Sequence, residues 1–435
     1  MKKVCLCFQI HQPYRLRRYR FFDIGNEHYY PDDYQNTEIF KRIAEECYIP
    51  ANRLILELLN SYPDFCVSYS ISGLAIEQME YDKPEIIESF KELAATGRVE
   101  FLAETYAHSL TAIYDPTEWK AQIRMQRKKI EELFGVAPSR VLCNTELLYN
   151  DSIGELATEL GFEGVITEGA RHVLGWKSPN YVYEANTEKP LRLLMRNAAL
   201  SEVITQHFTN YGSPEYPVTA DKIISRIKWQ AEGEDFALLY MNYEVLGAMH
   251  RKETGIFDFF RALPMLAEGQ ELSFATPSQL IAEHRSVDRI SVNNPITLSG
   301  EEKSTNVWLG NVLQRGVVEK LSQWGERVRA IKDRRLLQDW LYLQSADHLY
   351  YMNTGSSGQG FSPYTSAYDA FNNYMNVLSD FLLRVEELAP SSIETEELNS
   401  YQQTIISQDE QIKALKQQVA QLQTQLSAGK TKTNK

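Results

Sequence analysis

Several polar residues of this 435-residue chain stand where an apparent strand gives way to a loop. In a repeating βα fold, that is where chemistry collects. The stretch 4–11 ends on His11, followed by Gln12 and Pro13. The stretch 99–104 ends on Glu104, with His108 one turn later. The stretch 141–146 ends on Glu146, and 236–244 ends with Asn242 and Glu244. Two carboxyl groups facing each other across a pocket suit glycoside chemistry: one attacks or stabilises a sugar cation while the other shuttles a proton. Glu146 is the better nucleophile candidate, because the preceding Asn144 and Thr145 side chains can hydrogen-bond near a carboxylate. Asn242 is an amide, so it can hydrogen-bond a leaving oxygen but cannot protonate it. Glu244 lies two residues further on. On an extended strand it would share the Asn242 face about 7 Å away, as either a substitute acid or a hydroxyl binder.

The elements that must position these groups follow from the hydropathy pattern. Eight short β-type stretches, at 4–11, 65–72, 99–104, 141–146, 164–167, 191–196, 236–244 and 272–276, alternate with helical segments. Such alternation predicts a parallel sheet closed as a barrel. In 4–11, Val4, Leu6, Phe8 and Ile10 share one face, and Cys5, Cys7, Gln9 and His11 the other. In 65–72, Phe65, Val67, Tyr69 and Ile71 oppose Cys66, Ser68, Ser70 and Ser72. The apolar faces should meet helices, and the small polar faces should line the barrel interior and lead to a pocket. The best helix is 116–134, with Asp115 as cap, Pro116 at its first position, Glu118 completing a capping-box pattern, and Gly135 as its stop.

From about 304 to 387 the pattern turns helical, consistent with a bundle carrying Trp308, Trp324, Trp340 and Leu382. After the break "APSSIETEE", Leu398, Ile405, Ile412, Val419 and Leu426 recur every seven residues. Tyr401, Gln408, Leu415 and Leu422 follow three later, which favours a self-associating coiled coil and hence a homo-oligomer. The expected organisation is a catalytic-type βα-barrel over 1–290 and a helical domain over 291–388. A linker over 389–398, a coil over 399–427 and a disordered tail over 428–435 complete it.

Composition narrows the function classes. A formal charge of −13 argues against nucleic acid as main partner. Aromatics make up 11%, including 25 Tyr and 6 Trp, which suits sugar binding and equally suits a large core. The odd set Cys5, Cys7, Cys47, Cys66 and Cys143 has no C-x-x-C pair and reads as reduced thiols in a cytoplasmic protein. "MKKVCLCFQIHQP" is too short for a signal-peptide core, and no apolar run reaches membrane-span length. There is no His-x-x-x-His, and Cys5, Cys7 and His11 on one strand make a poor metal cage, so no metal or other cofactor is expected. Arg15, Arg17, Arg18 and Arg20 are expected to be structural, paired with the excess acid.

Five ordered segments resemble the sequence regions of glycoside hydrolase family 57, most of all its α-amylase branch. They are "HQPYRLRRYRFFDIG" (11–25), "GRVEFLAETYAHSL" (97–110), "VLCNTELLYND" (141–151), "LLYMNYEVLGAMHRKETGIFDFFRALP" (238–264) and "SADHLYYM" (345–352). The resemblance spans about residues 1–385. It implies an irregular seven-stranded βα-barrel, so that one of the eight stretches is a hairpin or an extra strand, followed by a helical domain. It implies retaining hydrolysis or transfer at α-glucan linkages, of the α-amylase or 4-α-glucanotransferase kind. By the same resemblance Glu146 is the nucleophile, and His11, Gln12, Glu104, His108, Asp347 and His348 bind substrate. The fourth region departs from the family pattern Asp-Tyr-Glu-Thr-Phe-Gly-Glu-His. Asn242 occupies the acid/base position, and Ala248-Met249 replace the later Glu-His pair. The expectation is a retained glucan cleft with weak or lost hydrolysis. The alternative is a non-catalytic α-glucan-binding or scaffolding protein oligomerised through its coil.

Overall fold

The computed structural model describes residues 1–355 and 362–389, together with Gln408 and Leu415. The chain divides into two compact units, residues 1–381 and 382–435. All the strands belong to the first. The heptad segment expected over 399–427 lies outside the described residues, apart from Gln408 and Leu415.

The strands are β1 (Lys3–Ile10), β2 (Val67–Ile71), β3 (Val99–Leu102), β4 (Val141–Leu142), β5 (Gly164–Glu168), β6 (Val182–Ala185), β7 (Arg192–Arg196), β8 (Phe236–Asn242), β9 (Ser273–Phe274) and β10 (Arg289–Ile290). One sheet runs β3-β2-β1-β8, with β9 also paired to β1. The other runs β10-β6-β7-β5-β4. Links between them include a parallel bridge from Ala103 to Leu142, and the Asn197 N–H donating to Leu238 O at 2.8 Å. The connections within β8-β1-β2-β3 are parallel, as are β4-β5-β7.

Of the eight expected strands, 272–276 is much shortened. It survives as β9, pairing over two residues with the first two residues of β1. The antiparallel partner of β7, namely β6, was not expected, because "VYEA" carries no alternation to mark it. The strand faces divide as predicted. Val4, Leu6, Phe8, Ile10, Val67, Tyr69 and Ile71 enter the large core shared with the helices. Cys5 and Cys7 enter a second core with Leu102, Cys143, Ile166, Leu194 and Leu238, on the other face of the strands. Ser68 and Ser70 are fully buried. Cys66 departs from this division, since it packs into the helix-side core.

Helix 116–134 forms with the expected bounds. Asp115 caps it by accepting from Glu118 N at 3.0 Å, and Gly135 ends it at φ +65°. The Glu118 carboxylate turns instead to the Gln122 and Gln344 amides, each at 3.1 Å, which ties this helix to the later helical region. That region contains Asn306–Leu309, Val312–Ala330, Arg334–Leu343, Ala346–Tyr351 and Ala367–Leu388. Its residues up to Phe381 belong to the same compact unit as the strands. No helix among the described residues is long and apolar enough to cross a membrane. All five cysteines are free and buried.

Candidate active site

A cleft of about 690 Å³ opens at the C-terminal ends of β1 and β8. His11, Gln12, His108, Glu146, Asn242, Glu244 and Asp347 all line it, so seven of the nine residues singled out from sequence share one cavity. Glu104 and His348 do not reach its wall. Glu104 is fully buried behind His108. His348 is packed against Tyr374, with Nε2 at 2.9 Å from the Tyr342 carbonyl, and burial pulls its pKa down to about 4. Neither side chain lines the cleft: Glu104 follows β3 and is fully buried, and His348 lies on helix Ala346–Tyr351 with its ring buried.

Glu146 does not end a strand. β4 stops at Leu142, and Glu146 sits on a short turn, Thr145–Leu147, with φ +55° at both Glu146 and Leu147. Left-handed backbone is costly for residues bearing a Cβ and persists only where the surroundings impose it. Here Asn144 and Thr145 do so, rather than contacting the carboxylate as expected. Asn144 Oδ1 accepts from Trp119 Nε1 at 3.1 Å, and its Nδ2 donates to Leu148 O at 3.0 Å. Thr145 Oγ1 meets Thr105 Oγ1 at 2.7 Å. The same Thr105 hydroxyl accepts from Ser109 N at 2.8 Å, closing the turn that holds His108 at φ +50°.

These two turns bring a charge network together. His108 Nε2 lies 3.3 Å from Glu146 Oε1, and His108 Nδ1 lies 3.4 Å from Glu104 Oε2. Burial disfavours the charged imidazole, but the two carboxylates outweigh it and raise the His108 pKa to about 10, so it is a cation at neutral pH. The other Glu146 oxygen accepts from Ser299 Oγ at 3.2 Å, and Leu298 N–H donates to the Glu146 carbonyl at 2.9 Å. His11 stacks on His108 with ring centroids 4.1 Å apart. Burial, and then the His108 charge, hold its pKa below the usual histidine range. A neutral His11 fits its partners: Ser72 Oγ at 2.7 Å from Nδ1 and Asp347 Oδ2 at 2.8 Å from Nε2. Ser72 also caps helix Gly73–Asp82 by accepting from Ala75 N. Asp347 accepts from Ser345 Oγ at 2.7 Å; despite burial, His11 and this hydroxyl keep its carboxyl well below the usual range.

The opposite wall is built differently. Asn242 is the last residue of β8 and is exposed. Among the described residues, its side-chain amide has no hydrogen-bond partner. The strand then turns into Tyr243–Val245, so Glu244 does not continue an extended face alongside Asn242 as expected. Its Oε1 accepts from Tyr48 OH at 2.5 Å and Gln12 Nε2 at 3.2 Å, and burial raises its pKa. The following loop is fixed by Gly247 at φ +109°, where a Cβ would meet Glu46 O at 1.9 Å.

A second cavity of about 620 Å³ shares Asn242, Met249, Leu298 and Ser299 with the first. It adds Arg196, Glu202 and Lys303. Lys303 Nζ bonds Glu202 at 2.8 Å, and Arg196 NH1 bonds the buried Glu168 at 3.0 Å. The sequence did not mark Ser299, Tyr48 or this chamber, which carry no motif of their own, whereas Ser72 stands on the small polar face expected to lead to a pocket. It also placed Arg15 among structural residues, whereas Arg15 lines the main cleft. Arg17 and Arg18 do pair loosely with Glu27 and Asp369, each at 3.7 Å. Among the described residues, no three His, Cys, Asp or Glu side chains converge as metal ligands do.

The family profile described as Glycosyl hydrolase family 57 matches residues 5–293. The chain is 37% identical over 405 residues to a candidate alpha-amylase of Methanocaldococcus jannaschii, covering 88% of this chain and 85% of that relative. Its fold is similar to that of the 4-alpha-glucanotransferase from Thermococcus litoralis, with a TM-score of 0.65 at 13% identity over 87% of this chain and 60% of that one. It is equally similar to that of the GH57-type branching enzyme from Pyrococcus horikoshii, with a TM-score of 0.65 at 15% identity over 92% of this chain and 94% of the other. At such identities the structural likeness speaks to the mixed α/β fold alone. From the profile match and the 37%-identical relative together, the chain belongs to glycosyl hydrolase family 57.

Proposed function

We propose that this protein acts on α-glucans, in the manner of an α-amylase or 4-α-glucanotransferase, through Glu146 as a retaining nucleophile. Asn242 stands at the position of the general acid/base. The reading joins the two strand sheets, through the Ala103–Leu142 and Asn197–Leu238 links, into an irregular seven-stranded barrel of β1–β5, β7 and β8. Residues 1–290 carry that barrel, and 291–388 the helical domain that supplies Asp347. The coil of 399–427 makes the protein a homo-oligomer. Its place in the cell is the cytoplasm.

The observation that carries the reading is the two-sided fixing of Glu146. A cationic His108 meets one oxygen and Ser299 the other, on a backbone turn of costly conformation. A carboxylate aimed this way is prepared to attack or stabilise a glucosyl cation. The proton side lacks its donor. Asn242 cannot protonate a leaving sugar hydroxyl, and Glu244 is engaged by Tyr48 and Gln12. Loss of general acid catalysis costs about 10²–10⁴ in rate, or about 3–5 kcal/mol of barrier. Slow turnover of natural linkages and an undiminished cleft are the result.

The test compares wild-type turnover of maltooligosaccharide with that of α-glucosyl fluoride, whose leaving group needs no acid. The expected result is clear release of fluoride in the first turnover with little turnover of the oligosaccharide, because the water that frees the enzyme also lacks its base. Turnover of neither, with oligosaccharide binding retained, would favour a non-catalytic glucan-binding protein.

A further inference from the structure

The network around Glu146 does not end at Glu104. Gln9, near the end of β1 and 5% exposed, donates from Nε2 to Glu104 Oε2 at 2.9 Å. Its own Oε1 accepts from Tyr240 OH, on the neighbouring β8, at 2.6 Å. Burial raises the Tyr240 pKa well above its ordinary value, so this phenol stays a donor. A phenol that donates to Oε1 leaves the Gln9 amide only one way round, with its NH₂ facing Glu104. Glu104 needs such a fixed donor, because its second oxygen, Oε1, is buried without a hydrogen-bond partner.

We infer that Gln9, locked by Tyr240, is a positioning residue that holds Glu104 against His108 and thereby holds Glu146 in its reactive orientation. The inference rests on the reading of Glu146 as nucleophile. The chain of contacts runs from Tyr240 OH through Gln9, Glu104 and His108 to Glu146, with no step longer than 3.4 Å. Every link lies on the interior face of a strand or on the turn that follows one. The groups facing His108 are Glu104 after β3, Glu146 after β4 and the stacked His11 after β1, with Asp347 behind His11. Glu104 takes a donor from outside the set, as Glu146 takes Ser299, and that donor is Gln9. Without it, the carboxylate is free to turn from His108 Nδ1.

The experiment follows the His108 titration by ¹⁵N NMR in the full chain, with the signal assigned from His108→Gln. The variants are Gln9→Leu and Tyr240→Phe, and kcat and KM for α-glucosyl fluoride are measured alongside. Tyr240→Phe keeps the ring in the core, so it remains informative if Gln9→Leu folds poorly. The His108 midpoint is expected to fall by about one pH unit in Gln9→Leu, as one carboxylate partner turns away, and in the same direction by less in Tyr240→Phe. kcat should fall about tenfold with KM nearly unchanged, because orientation rather than binding is lost. A midpoint unmoved in both variants overturns the inference. A midpoint that moves while fluoride turnover stays unchanged overturns the positioning of Glu146, whereas fluoride turnover that survives Glu146→Gln contradicts instead the reading of Glu146 as nucleophile.

Discussion

The two walls of the cleft are held in opposite ways. On the Glu146 side the groups that line the cleft are engaged: His108 between two carboxylates, His11 between Ser72 and Asp347, Glu146 between His108 and Ser299. On the Asn242 side the frame is equally firm, with Gly247 against Glu46 and Glu244 under Tyr48, yet the residue at its centre is an exposed amide. Firmness of the scaffold and presence of the chemistry are thus separable. On the proposed function, one wall has both and the other only the first.

The contrast can be broken most severely at Glu146. Glu146→Gln should lower turnover of α-glucosyl fluoride by about 10³-fold or more, the scale of losing a nucleophile, while leaving oligosaccharide binding within a few-fold. Retained turnover would move the chemistry elsewhere. On the opposite wall, Gly247→Ala tests the frame. A Cβ 1.9 Å from a backbone oxygen, at a left-handed φ, forces the loop to shift. A thermal-unfolding midpoint several degrees below wild type is expected, and an unchanged midpoint would show the loop to be loose.

A subtler difference is in proton linkage. The His108 pKa lies near 10 in the folded chain, against about 6.5 when unfolded. Between those values the folded state holds a proton that the unfolded state has released. Its stabilising contribution is full below about pH 6.5 and is lost as pH rises towards 10. Thermal unfolding midpoints of wild type should therefore decline over that window, and His108→Gln should remove that part of the decline. The smallest effect is expected at Tyr48→Phe. Removing one donor from Glu244 should weaken oligosaccharide binding by about tenfold or less, and leave fluoride kcat nearly unaltered.

What could be read in the sequence follows the same division. Strand faces and strand ends obey a two-residue period, so His11, Asn242 and the interior cysteines were legible from spacing alone. The helix 116–134 was legible because its cap, first proline and terminal glycine are local signals. The turn bearing Glu146 was not. Its left-handed backbone depends on Trp119 and Thr105, which are distant in sequence. The turn after Asn242 likewise redirects Glu244 towards Tyr48, a contact spanning 196 residues. Residues that touch only through such long-range packing, Ser299 and Tyr48 among them, leave no periodic trace.

The central claim is that the cleft keeps its nucleophile and lacks only its acid. It is tested most directly by kcat/KM for maltooligosaccharide and for α-glucosyl fluoride in wild type and Asn242→Asp. Asn242→Asp is expected to raise oligosaccharide turnover by about 10²-fold or more and to change first-turnover fluoride release only a few-fold. An oligosaccharide rate that is already high in wild type, or that does not rise in Asn242→Asp, would contradict it.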